Sequence, residues 1–185
     1  GLNKWFCTNP PLIESNKIVP LPIGFEEKER VGGDQGLLKQ VFSNSTAFEN
    51  KKNKILLPYH NLSTNSERQS YLSYLKNLPF VDCQENKMDF HNYMKLLDEY
   101  KFVICLEGSG PDVHRNYESL LVGSIPINCS KVIKKLFDYY KICGIFVDDW
   151  YSLDENKFIN ILNNDYDFKS TFEFLKVDNH INNIK

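Results

Sequence analysis

The chain has 185 residues, 42% hydrophobic and 25% charged, enough apolar material for one well-buried core in a single domain. Its formal net charge of −2 gives no general reason for nucleic acid or an anionic membrane to bind. No apolar run approaches the roughly 20 residues of a membrane span, and no leader segment is visible, which points to a cytoplasmic setting. The start at Gly1 and not Met suggests a processed product or a piece of something longer. Five cysteines (Cys7, Cys83, Cys105, Cys129, Cys143) stand far apart with no CxxC pair, which argues for free thiols and against a disulfide framework or a zinc site.

Residues 1–50 are punctuated by Pro10-Pro11, Pro20, Pro22, Gly24 and Gly32-Gly33, and should run as extended segments and turns lying over a domain. Ile18–Ile23 is apolar, but its two prolines exclude it from a central strand. A short helix fits Gln35–Phe42. From residue 51 the pattern becomes regular and forms the domain proper, to residue 178. Ile55–Tyr59 is a first strand, and Thr64-Asn-Ser-Glu67 has the form of a capping box opening a helix to about Asn77. Phe80–Cys83 is a second strand, and Asp89 caps a helix carrying Phe90, Tyr93, Met94 and Leu97. Phe102–Leu106 is a buried strand, broken by Gly108-Ser109-Gly110-Pro111, then a helix over Asp112–Leu121 and a strand at Ser124–Ile127. Ser130 caps a further helix, Gly144–Val147 is a strand, and Ser152-Leu-Asp-Glu155 is a second capping box with a helix to about Asn163. A final helix fits Phe168–Val177, followed by a polar tail at 179–185. Short strands alternating with helices of ten to fourteen residues predict an α/β fold, a parallel sheet with helices on both faces.

Ligands of such sheets bind beyond the carboxyl ends of the strands, so the loops His60–Thr64, Glu107–Asp112 and Asp148–Tyr151 should converge. Arg68, one turn into its helix, reaches toward an anion there or is a solvated surface residue. Glu107-Gly108-Ser109-Gly110 is neither a Walker A nor a GxGxxG sequence, but its glycines permit positive φ and amides aimed at a phosphate. The alternative is a plain strand-to-helix turn. At 100° per residue, Val113, Tyr117, Leu120 and Leu121 share one helix face and His114, Arg115 and Glu118 the other, near the positive end of the dipole. Arg115 and Glu118 then grip an anion and a hydroxyl group, or form an exposed i, i+3 ion pair, which helix geometry alone favours. His114 is a candidate phosphate donor or proton carrier, and His60, His91 and His180 lie on other elements, so no metal pair forms with it. Asp112 reads as a helix cap, and Asp148-Asp149 as a strand-end turn. Trp150 and Tyr151 cap the core, or stack on a base or sugar.

The stretch KFVICLEGSGPDVHRNYESLLVGSIPIN at Lys101–Asn128 resembles the exostosin-like glycosyltransferases. Gly108, Gly110, Asp112, His114, Arg115, Tyr117, Glu118, Gly123, Ile125 and Pro126 match the pattern of their donor half, while Leu106-Glu107 stands near a usual Pro and Tyr117 replaces the commoner Trp. The resemblance implies the Rossmann-like, nucleotide-sugar-binding half of a GT-B fold. It places Arg115 on the donor diphosphate and Glu118 on the ribose hydroxyls, with Arg68, Gly108, Ser109, Gly110, Asp112 and His114 around them. Asn9 and Ile18–Phe25 look like the segment that joins the two halves in related transferases. A fucosyltransferase-like enzyme using a GDP-sugar shares a similar pattern. The implied partners are a UDP-sugar donor, a glycan or protein acceptor, and an acceptor domain in the same polypeptide, which would supply the general base. No metal and no obligatory cofactor is expected. A Golgi-lumen setting follows if the chain belongs to a longer membrane-anchored protein.

Overall fold

The computed structural model describes residues 3–13 and 15–175. Its frame is a five-stranded parallel sheet in the order β4-β3-β5-β6-β7, built from β3 (Lys52–Leu57), β4 (Val81–Cys83), β5 (Tyr100–Ile104), β6 (Ile125–Asn128) and β7 (Ile145–Phe146). Ile55 pairs with Val81 on one side and Phe102 on the other, and Phe102 in turn with Ile125. Helices cover both faces, as the α/β pattern predicts.

Alternate strand residues feed the two faces. Ile55, Leu57, Phe102, Ile104, Ile125 and Ile127 pack under α2 (Arg68–Leu75) and α6 (Glu155–Leu162), with Phe80 and Phe158 stacked at 4.5 Å. Leu56, Val103 and Cys105 pack on the other face against α1 (Gln35–Ser43), α3 (Phe90–Asp98) and the end of α4 (His114–Leu121). Tyr117 and Leu120 of α4 join a third cluster with α5 (Lys131–Tyr140) and α7 (Lys169–Leu175). Pro126 sits inside the sheet, where its missing N–H should be costly. Ile127 O accepts from Cys105 N on the β5 side, and Asn128 O from Val147 N on the other. By the alternation of the strand, Pro126 faces the β7 side, where pairing begins only at Ile127 opposite Ile145.

Residues before 51 form more structure than the proline count suggests. β1 (Trp5–Thr8) and β2 (Ile18–Leu21) make a separate two-stranded parallel sheet that includes Pro20, outside the central one. Both expected capping boxes are replaced. The Asn61 side chain accepts from the amide and hydroxyl of Ser63, winding Leu62–Thr64 into a 3-10 turn, and Glu67 makes no side-chain cap on α2. Asp149 likewise holds the turn Trp150–Ser152, and α6 is capped two residues later than expected, by Asp154, whose carboxylate accepts from Lys157 N. Asp89 and Ser130 cap α3 and α5 as expected. Asp112 is not the cap of α4, which opens after Val113. The last two residues of the helix expected over Phe168–Val177, and the tail at 179–185, lie outside the described residues.

At the amino edge of the sheet the Lys51 ammonium, its side chain fully enclosed, lies 2.6 Å from the Asp98 carboxylate and 2.6 Å from the Asp98 carbonyl. Burial lowers its pKa and Asp98 opposes that shift. Removing one partner of such a pair strands the other charge. Asp98→Ala should therefore cost about 3 kcal/mol in urea denaturation; a loss below about 1 kcal/mol would show that Lys51 reaches water or gives up its proton.

Candidate functional site

The strand order gives the site its place. The chain leaves β3 for β4 at one edge and then crosses back to β5 on the other side, so the connections diverge between β3 and β5. In open parallel sheets the crevice beyond the carboxyl ends of two such strands is where ligands bind. Here it is walled by Pro58–Asn61 after β3 and Cys105–Gly108 after β5.

Two arginines enter this crevice, one from each face of the sheet. Arg68, buried at the start of α2, donates from Nε to Glu107 O (2.8 Å), from Nη1 to Asn61 O and Thr64 Oγ1 (both 2.6 Å) and from Nη2 to Leu106 O (3.1 Å). Arg115, half-buried on α4, donates from Nε to Tyr93 OH (3.1 Å), from Nη1 to His60 Nε2 and from Nη2 to Tyr59 O (2.8 Å). Of the five N–H donors of each fork, one on Arg68 and two on Arg115 have no partner among the described residues. Neither guanidinium forms an ion pair with a carboxylate among those residues. Burial, then the charge of Arg115, lowers the pKa of Arg68. The first two loops expected to converge are thus joined by Arg68 itself. The third packs instead on α2, where Tyr71 and Tyr74 contact the exposed Tyr151 ring at 5.7 and 5.2 Å, while Trp150 is buried in the core.

Arg115 and Glu118 are not the exposed ion pair that helix geometry suggests. Glu118 is buried, and its Oε2 accepts from Tyr93 OH at 2.8 Å, so the phenol stands between the two charges. Burial raises the Glu118 pKa, with the Arg115 charge opposing. Helix α3, packed across α4, covers the face that a lone amphipathic pattern assigned to solvent.

The remaining predicted residues turn elsewhere. Asp112 is buried, and its carboxylate accepts from Ile23 N (2.9 Å), Tyr117 OH (2.7 Å) and Asn116 Nδ2 (3.1 Å). His114 Nδ1 lies 2.7 Å from Gly24 O. Both residues clasp the Ile23–Gly24 segment onto α4 and do not face the crevice between the arginines. Gly108 N donates back to Gly110 O, closing the turn, and neither glycine takes a positive φ. Gly110 is tightly placed for another reason: a Cβ there would lie 3.0 Å from Asn9 Nδ2 and press on a side chain whose Oδ1 accepts from Asp112 N. Ser109 is exposed at the tip, its amide and that of Gly110 unpartnered among the described residues.

His60 and Tyr93 complete the site and were not singled out from sequence. His60 stands three residues beyond the end of β3, and its place after the strand is the signal that the sequence offers. Tyr93 was legible only as part of an apolar face. His60 is buried, with Nδ1 2.6 Å from Pro58 O and Nε2 accepting from Arg115 and from Leu106 N at 3.4 Å. Pro58, Tyr59, His60 and Asn61 of the crevice wall also line, with Leu72, Ser73 and Gln84, a cavity of about 330 Å³. Among the described residues no group of three or more His, Cys, Asp or Glu side chains is placed to hold a metal, no helix is long and apolar enough to cross a membrane, and all five cysteines are free. No protein-family model matches the sequence, and no curated protein matches it.

Burial first, then the charges of Arg115 and Arg68, hold the His60 pKa well below its ordinary value of about 6.5. The unfolded chain therefore binds a proton near that pH that the folded chain refuses. The His60 contribution is intact above about pH 6.5 and is lost as pH falls below it toward the folded value. Glu118 and Asp112, with pKa values raised by burial, act in the opposite sense at lower pH. His60→Gln removes only the first effect. Urea denaturation at about pH 7.5 and about pH 5 should show the wild type losing more stability than the variant; equal losses would mean His60 titrates normally.

Proposed function

We propose that this chain is the donor-binding domain of a glycosyltransferase that takes its sugar from a nucleoside diphosphate, a UDP-sugar in the first instance. The observation that carries the reading is the meeting of Arg68 and Arg115, with no direct carboxylate ion pair among the described residues, at the switch point of a parallel sheet. Three free N–H donors, the Ser109 and Gly110 amides and the nearby start of α4 form a set suited to a diphosphate. The resemblance over Lys101–Asn128 supports the same role for Arg115 and gives Glu118 the ribose hydroxyls. Glu118 Oε1, unlike Oε2, has no hydrogen-bond partner among the described residues.

In this reading an acceptor hydroxyl, deprotonated by a base from a further domain, displaces the sugar at its anomeric carbon. Charge then develops on the departing diphosphate. The arginine forks and loop amides stabilise it where a metal does so in other enzymes. A non-catalytic module that keeps the fold is the second reading, favoured by the inward-turned Gly108 amide and by the carbonyls that already occupy both forks.

Calorimetry with UDP and GDP separates the two. Binding of one of them is expected, weakened about tenfold or more by Arg115→Lys, which keeps the charge but loses the fork. Circular dichroism checks that the variant is folded. No binding of either nucleotide at about millimolar concentration, or an unchanged affinity in the variant, would overturn the proposal.

A further inference from the structure

His60 stands where the two strand ends, both arginines and the glycine turn meet, and no role in binding follows from its position alone. Its hydrogen bonds assign its form. Pro58 O can only accept, so Nδ1, 2.6 Å away, carries the proton, and Nε2 presents its lone pair. Two donors point at that lone pair: Arg115 Nη1 from α4 and Leu106 N from the chain leaving β5. Leu106 O and Glu107 O, the next acceptors along that chain, are held by Arg68. One imidazole thereby sets the rotation of the Arg115 fork and the height of the turn that leads to Gly108.

We infer that His60 is a positioning residue for the anion site, fixing the Arg115 guanidinium through Nε2 and the 106–108 turn through Leu106 N. The inference rests on the reading of the site as one for a diphosphate. Without His60, Arg115 keeps Tyr93 OH and Tyr59 O, which hold one edge of the fork but leave Nη1 to turn. The guanidinium carbon lies 5.8 Å from the Tyr93 ring centre, a contact that tolerates such rotation. A plain core histidine that only joins β3 to β5 would affect stability and leave affinity alone.

The test compares wild type, His60→Leu and His60→Gln for UDP and for inorganic pyrophosphate by calorimetry. His60→Leu removes the acceptor, and His60→Gln restores one through its side-chain oxygen. We expect His60→Leu to weaken both probes by about tenfold, the effect of one donor left unpaired, with His60→Gln within about threefold of wild type. Equal loss for both probes locates the effect on the diphosphate. Unchanged affinity in folded His60→Leu, or a loss that His60→Gln does not restore, overturns the positioning role and leaves the proposed function standing. Failure of wild type to bind either probe overturns both. A nitrogen-15 spectrum of wild-type His60 gives an answer even if His60→Leu does not fold. It should show a neutral ring protonated at Nδ1, with the Nε2 signal moving on addition of UDP. A proton on Nε2, or no response to UDP, rejects the inference.

Discussion

Two guanidinium cations meet at the carboxyl edge of a sheet that is buried on both faces, neither in direct ion pairing with a carboxylate among the described residues, and the local chain is arranged around that charge. Six of their seven acceptors are oxygens or a ring nitrogen supplied by the loops after β3 and β5 or by the α3 phenol: Tyr59 O, His60 Nε2, Asn61 O, Leu106 O, Glu107 O and Tyr93 OH. The seventh, Thr64 Oγ1, explains why the expected capping box fails. Neutral acceptors satisfy the donors of both forks without cancelling their charge, and the buried Glu118 carboxylate reaches Arg115 only through the Tyr93 hydroxyl. A carboxylate at the same place would pair with the forks more strongly and remove the field an anion needs.

The residues around the glycine turn and the start of α4 serve two different structural ends. Arg115 and Glu118 look toward α3 and the crevice, whereas Asp112 and His114, on the same helix start, look toward residues 23 and 24. Asn9, itself at a positive φ of 49°, reaches over Gly110 to the Asp112 amide. The turn is thus held from two sides, by Arg68 of α2 at Leu106 and Glu107 and by Asn9 at Gly110 and Asp112. That arrangement gives a physical reason for Gly110 that owes nothing to a phosphate.

The sheet was legible in sequence because a doubly covered parallel strand must be an apolar run, as at Phe102–Leu106, and because its helices repeat at 3.6 residues. The caps at Asp89 and Ser130 were legible because each stands alone before its helix. Thr64 and Ser152 misled because Asn61 and Asp149, three residues earlier, take the local amides first and wind a tighter turn. The burial of Glu118 was not legible at all. It depends on α3 crossing α4, a contact between helices whose own patterns both permit a polar position there. His60 and Tyr93 were hidden for the same reason, since what matters in each is the partner and not the residue type.

The frame that satisfies the arginines need not be dismantled for the proposed diphosphate to bind. Each neutral hydrogen bond contributes about 1 kcal/mol net, and a bond to a charged group about 1.5–3 kcal/mol. A diphosphate that had to displace all seven acceptors would gain little over them. The three unassigned N–H groups, with the amides of Ser109 and Gly110, allow it to add partners while the carbonyls stay in place. Arg68 is pinned by four bonds and contributes mainly fixed charge. Arg115 makes three bonds and keeps two N–H donors unassigned among the described residues, so under the proposed diphosphate reading its orientation, and with it the bond from Nη1 to His60, would govern what the fork can add.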